Sequence, residues 1–265
     1  MIGITQNAVA GDPKALERYR ASGACPQCDL RYESLSALPA GGKIDLTGAY
    51  LFDANFIKAN LVGATLESAI LINARLQMAD LSRANLAKAS LQDANLRGAT
   101  LLGANLVFSN LNDAVLEAAE LSGANLATAS MVGTLMTDAF AVDTVFRSAN
   151  LRLADLSRAN FTGADLEGAN LIGAKLRGTR LTAANMRKAN LEGADLRSAR
   201  LEYVNLRQAN LRGAKLSGAL LTGTNLENPD LSDADLSGVD LSSVFAENAN
   251  YCNASMPNGA KGPCK

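Results

Sequence analysis

The sequence predicts an all-β fold of very short sides wound into a four-sided coil, and three observations predict it. Every fifth residue from Leu46 to Met256 is apolar, and 33 of these 43 positions are Leu. The residue two places earlier is Ala in 33 of the 43, and the residue between is often Asn or Asp, as in Ala84-Asn85-Leu86 and Ala194-Asp195-Leu196. No insertion or deletion breaks this register. A period of five matches neither the 3.6 of a helix nor the 2.0 of a strand, so the chain must turn once per repeat to keep its Leu row on one side.

Four such sides close a square, and successive squares stack through backbone hydrogen bonds. Leu then points inward, Ala fits where backbones crowd, and Asn, Asp and Gly suit the turns through tolerance of positive φ and through local hydrogen bonds. The repeat count predicts about eleven four-sided coils, a rod roughly 50 Å long at ~4.8 Å per coil. Adding twenty gives the inward columns, such as Leu46, Leu66, Leu86, Leu106 and Leu126, beside Leu51, Leu71, Leu91, Leu111 and Met131. The expected interior is filled and offers no substrate cavity.

The open ends of such a stack need covers. Asp12-Pro13-Lys14-Ala15-Leu16-Glu17-Arg18-Tyr19 reads as an N-cap, a Pro at the first helical position and a short capping helix. Leu30 and Leu35 look like further repeats one residue out of register with Leu46, and the loop from Ala37 to Lys43 must absorb the shift. Pro257-Asn258-Gly259 stops the repeat at the other end. The expected segments are thus a cap over 1–43, the repeat over 44–256 and a tail over 257–265.

Residues 44–256 resemble the pentapeptide-repeat family. The resemblance implies a right-handed quadrilateral β-helix and a non-enzymatic scaffold whose flat faces bind protein. Its flanking cysteines resemble those of cyanobacterial and chloroplast-lumen members. Family members that imitate duplex DNA and bind gyrase supply the alternative. Duplex DNA carries one charge per ~1.7 Å, so a rod of this length would need on the order of 30 net negative charges. This chain has 25 basic and 26 acidic residues, a net charge of −1.

That balance also gives no bulk case for nucleic acid or an anionic membrane as partner. The absence of His removes the commonest general base and metal ligand. No catalytic, metal or cofactor-binding residues are assigned, an unidentified protein is the expected partner, and the rod is expected as a monomer. No run approaches ~18 apolar residues, and Met1 is followed only by a short apolar stretch.

The cysteines form two terminal pairs. Cys252 with Cys264 reads as a staple on the tail, whereas Cys25 with Cys28 is open to disulfide, redox or half-zinc readings. Paired cysteines imply the thylakoid lumen or periplasm, and free thiols the cytoplasm.

Two stretches depart from a uniform polar exterior. Between Gly98 and Phe146 there is no Lys or Arg, and Val115, Leu135, Phe140, Val142 and Val145 suggest an apolar patch rimmed by acids. A structural alternative turns Phe140 inward because Ala141 is small. From Lys175 to Lys215 the net charge is +7, a basic band that includes Arg177, Arg180, Arg197, Arg200 and Arg207, while Leu216 to Ala260 holds six acids and no bases. The band suits an acidic protein surface, or else its charges form ladders such as Arg147, Glu167, Arg187, Arg207 and Glu227 that solvate the rod.

Overall fold

The computed structural model describes residues 11–36 and 43–264. From Asp45 onward, parallel bridges join residues twenty apart: Asp45 to Thr65, Thr65 to Asn85, and so on to Asn225 with Phe245. Three further rows run alongside, starting at Tyr50, Asn55 and Asn60. These four rows define the first to fourth faces of the stack, each one residue wide at its bridge.

Each side is built the same way. Leu86 donates its N–H to the Asn105 carbonyl of the next coil at 2.7 Å, and Asn85 donates to the Ala64 carbonyl of the preceding coil at 2.9 Å. The turn then closes, with the Ala89 N–H on the Leu86 carbonyl at 3.0 Å. Its second central residue lies in the left-handed region, as at Gly48 (φ 63°), Arg83 (φ 57°) and Lys88 (φ 59°). Non-glycine residues carry about 1 kcal/mol or more of strain there. Bonds at the turn itself, such as Lys88 N–H to the Val107 carbonyl at 2.9 Å, hold it in place.

The Asn and Asp of the repeat do not occupy the positive-φ slot assigned to them above. They are the bridging residues, two places before the turn's first central N–H. Their side chains cap the turn from outside: Asn85 Oδ1 accepts from the Ala87 N–H at 3.2 Å, and Asp235 Oδ1 from the Ser237 N–H at 3.0 Å. The local hydrogen bonding was legible, whereas the left-handed residue follows the Leu by two.

Inside, the Leu and Ala columns are closed to solvent; Leu86, Leu106, Ala84 and Ala104 are at most 1% exposed. Where Thr replaces Ala it is buried and donates to a carbonyl of the preceding coil, as Thr144 does to Leu121 at 2.8 Å. Phe140 does not turn inward. It is 45% exposed on the fourth face, and Ala141 keeps the inward slot at 0%. Ala141 is followed at the next inward slot by Phe146 and at the same slot of the next coil by Phe161, and these buried rings meet at 5.2 Å between centroids. Two large neighbours thus compensate one small residue.

At the N-terminal end the offset changes. Ala24, Asp29 and Ser34 bridge Asp45, Tyr50 and Asn55, twenty-one residues on rather than twenty. Leu30 and Leu35 are buried beneath that coil. The part of the register-shifting loop over 37–42 lies outside the described residues, as do 1–10 of the N-terminal segment. Helix α1, Pro13–Ser22, starts at Asp12, whose side chain accepts from the Lys14 N–H at 3.0 Å, and stops at Gly23 (φ 72°). Its Ala15 and Tyr19 are fully buried.

At the C-terminal end the fourth-face row stops at Leu220, and Leu241, Val244 and Ala246 are only partly covered. The chain then folds back, with Ser255 and Lys261 forming an antiparallel bridge and Gly262 donating to the Ala254 carbonyl at 2.8 Å.

Candidate functional site

With the interior filled, chemistry is confined to the outward rows. Along the third face Asn95, Val115, Leu135, Asp155, Lys175, Asp195, Lys215 and Asp235 follow one another as bridge partners. Val115 and Leu135 are neighbours there, and Leu135 is exposed. Phe140 lies one corner away on the fourth face between Glu120 and Asn160, Val142 on the turn that follows, and Val145 on the first face between Asn125 and Asp165. The five residues of the apolar stretch are therefore spread over three faces, and the contiguous pair is Val115 with Leu135. Two of the acids around them are engaged, Glu117 with Arg97 and Asp138 with Arg158.

The five arginines of the basic band divide in the same way. Arg177 and Arg197 follow the third face, Arg180 and Arg200 are bridge partners on the fourth, and Arg207 follows the first. Arg197 pairs with Asp195, Arg200 with Glu202 at 3.0 Å and Arg207 with Glu227 at 2.9 Å. The Arg197 hydrogen bond holds the Asp195 carboxyl below the usual carboxylate value, and that carboxylate in turn pushes the guanidinium up. Among the described residues, Arg177 and Arg180 have no carboxylate within 4.0 Å. The ladder around Glu167 is built as a charge network, with Glu167 accepting from Arg187 at 2.8 Å and lying 3.9 Å from Arg147.

A third cluster escaped the sequence reading. Tyr50 and Ile70 are bridge partners on the second face, with Phe52 and Ile72 on the adjoining turns, and the Tyr32 N–H donates to the Phe52 carbonyl at 2.9 Å. Tyr32 and Tyr50 are exposed. Tyr32 stands twenty residues before Phe52, although its counterpart in the next coil is Asp53, because the first coil bridges its neighbour at an offset of twenty-one.

Both cysteine pairs are closed, Cys25 to Cys28 and Cys252 to Cys264. The first is buried, 1% and 5% exposed, whereas Cys264 is open to solvent.

Comparison with known proteins adds a lineage to this geometry. The family model described as pentapeptide repeats matches eight times, from residues 49–87 to 205–242. Among solved structures, HetL of the cyanobacterium Nostoc sp. strain PCC 7120, involved in heterocyst differentiation regulation, is 30% identical over 93% of this chain and 98% of its own, with a TM-score of 0.37. A pentapeptide repeat protein of the Arabidopsis thaliana thylakoid lumen is 33% identical over 38% of this chain and 66% of its own, TM-score 0.33. QnrB1, a plasmid-mediated fluoroquinolone resistance protein, is 20% identical over 72% and 90%, TM-score 0.49. No curated protein matches the chain. The repeat that sets every side of the stack, matched along most of its length, thus makes the chain a member of the pentapeptide repeat family, whose proteins fold as right-handed quadrilateral β-helices.

Proposed function

We propose that the protein is a non-enzymatic scaffold, a rod of about eleven coils closed by residues 1–43 at one end and 257–265 at the other, that binds protein partners on its flat faces. The observation that carries this reading is the division of labour within each repeat. The inward Leu and Ala are closed to solvent and are held by the backbone ladder, so bridging and turn residues vary from Asn to Phe to Arg without disturbing the core. A surface that varies on a constant frame suits recognition of a partner. Catalysis would need titratable groups converging in a pocket. Duplex mimicry has the net charge of −1 against it. The two disulfides support an oxidising compartment such as the thylakoid lumen or periplasm.

The test places a photo-crosslinking residue at Asn125, Asn150, Leu135 and Asn160, one on each face, in the source cells. Discrete protein adducts on one or two faces are expected. No adduct at any position, or the same diffuse labelling at all four, would overturn the reading.

A further inference from the structure

The fourth face carries a row unlike the others: Phe140, Asn160, Arg180, Arg200 and Leu220 succeed one another as bridge partners. Phe140 and Leu220 are 45% and 52% exposed, so two apolar residues stand at the ends of a short track with two guanidinium groups between them. At the Phe140 end the surface is concave, a groove of about 230 Å³ lined by Asp138, Ala139, Phe140, Arg158, Asn160 and Arg180. Arg158 is committed to Asp138 through two hydrogen bonds of 2.8 and 2.7 Å, and Arg200 to Glu202 through two of 3.1 and 3.0 Å. Arg180, between them, has no carboxylate partner among the described residues, and neither has Arg177 one corner away. Like charges on directly opposed rungs repel. The track is therefore short of negative charge at its centre.

We propose that this row is a docking track for an extended acidic peptide of a partner protein. Its two carboxylates meet Arg180 and the Nη1 that Arg200 leaves free of Glu202, and apolar side chains six residues apart seat on Phe140 and Leu220. The spacings agree. Four rungs of ~4.8 Å separate Phe140 from Leu220, about 19 Å, and three same-face steps of an extended peptide cover about 20 Å. Carboxylates at the second and fourth positions after the first apolar residue fall ~7 and ~13 Å along, against about 10 and 14 Å for Arg180 and Arg200, within reach of flexible guanidinium arms. The flanking carboxylates of Asp138, Asp143 and Glu202 weigh against a polyphosphate backbone and leave a peptide with few, spaced charges as the better fit. The inference rests on the scaffold reading and narrows it to one face.

The probe is a fluorescein-labelled peptide, Phe-Ser-Glu-Ser-Glu-Ser-Leu, read by fluorescence anisotropy in low salt, with versions carrying Gln or Lys in place of Glu. Salt-sensitive binding of the Glu peptide alone is expected. Arg180→Glu and Arg180→Gln should weaken it about tenfold and Phe140→Ser about fivefold, while Arg152→Glu on the second face leaves it unchanged. No binding to the parent, equal binding to the Arg180 variants, or equal binding of the Lys peptide would overturn the proposal. Light scattering on the same samples covers the other occupant. Self-association that Arg180→Glu abolishes would assign the track to the acidic segment 216–260 of a second copy and displace the peptide. A negative peptide result does not touch the scaffold reading, which the four-face crosslinking decides separately.

Discussion

Asn105 donates from its Nδ2 to Oδ1 of Asn85, one coil below, at 3.0 Å, while that same Oδ1 accepts the Ala87 N–H at 3.2 Å. One side chain thus closes a turn and ties two coils together. The pattern recurs on the first face from Asn205 to Asn185 at 3.2 Å and on the second from Asn210 to Asn190 at 3.0 Å. Such ladders explain why the bridging slot favours Asn over the β-branched residues usual in strands.

Replacing Asn105 by Ala removes the rung to Asn85 and the cap on the Val107 N–H, at 3.0 and 3.3 Å. The expected loss is about 1–2 kcal/mol, from two part-buried hydrogen bonds. Urea denaturation of the parent and of Asn105→Ala measures it, and Asn105→Asp should keep the cap while losing the donor.

Leu171 is fully buried and Ile172 is partly exposed beside it. Leu171→Asp should cost on the order of 4 kcal/mol or more by burying an unpaired charge, and Ile172→Asp less than about 1 kcal/mol. Equal midpoints in thermal denaturation would contradict the register.

Acid should loosen the turns. The Asp235 carboxyl is held below its ordinary value by the Ser237 hydroxyl and then the Ser237 N–H, and the Asp195 carboxyl by Arg197. A depressed carboxyl contributes stability that is complete above the unfolded value of about 3.9 and is lost as pH falls through the lower folded value. Thermal midpoints should therefore hold from pH 7 to about 5 and then decline below about pH 4. Asp235→Asn, which keeps the acceptor oxygen, should flatten that decline.

The two disulfides should reduce in a fixed order. Cys252–Cys264 has one sulfur-bearing residue in the open, whereas Cys25–Cys28 is buried, with Cys25 Sγ 3.3 Å from the Ala15 carbonyl of α1. Graded dithiothreitol followed by alkylation and mass spectrometry should label Cys252 and Cys264 first. Loss of the tail staple, which joins residues twelve apart, is expected to cost about 2–3 kcal/mol and to open 257–265 to proteolysis.

The core was legible because a single period governs it: any Leu of the column predicts the rest by steps of five. The exterior was less so, since neighbours in sequence are separated by corners. Phe140 and Val145 are five residues apart and occupy different faces, while Phe140 and Arg180 are forty apart and line one groove. Reading the outward residues in steps of twenty would have grouped the fourth-face row. It would still have mispaired the first coil, whose Ala24, Asp29 and Ser34 bridge partners twenty-one residues on. Phe140 stayed ambiguous for another reason: an aromatic beside a small inward Ala does not reveal in sequence that Phe146 and Phe161 fill the space.

The four-cornered winding gives duplication two separate meanings in the history of such a gene. Copying twenty residues lengthens the rod and leaves every downstream row on its own face. Copying five, say between Asp155 and Leu156, keeps Leu and Ala facing inward yet rotates everything after it by a quarter turn, so Arg180 would leave the face of Phe140. A five-residue slip thus preserves the Leu and Ala columns while it exchanges the outward faces, and its cost is confined to the coil contacts it misaligns, such as Phe161 over Ala141 and the ion pair of Arg158 with Asp138.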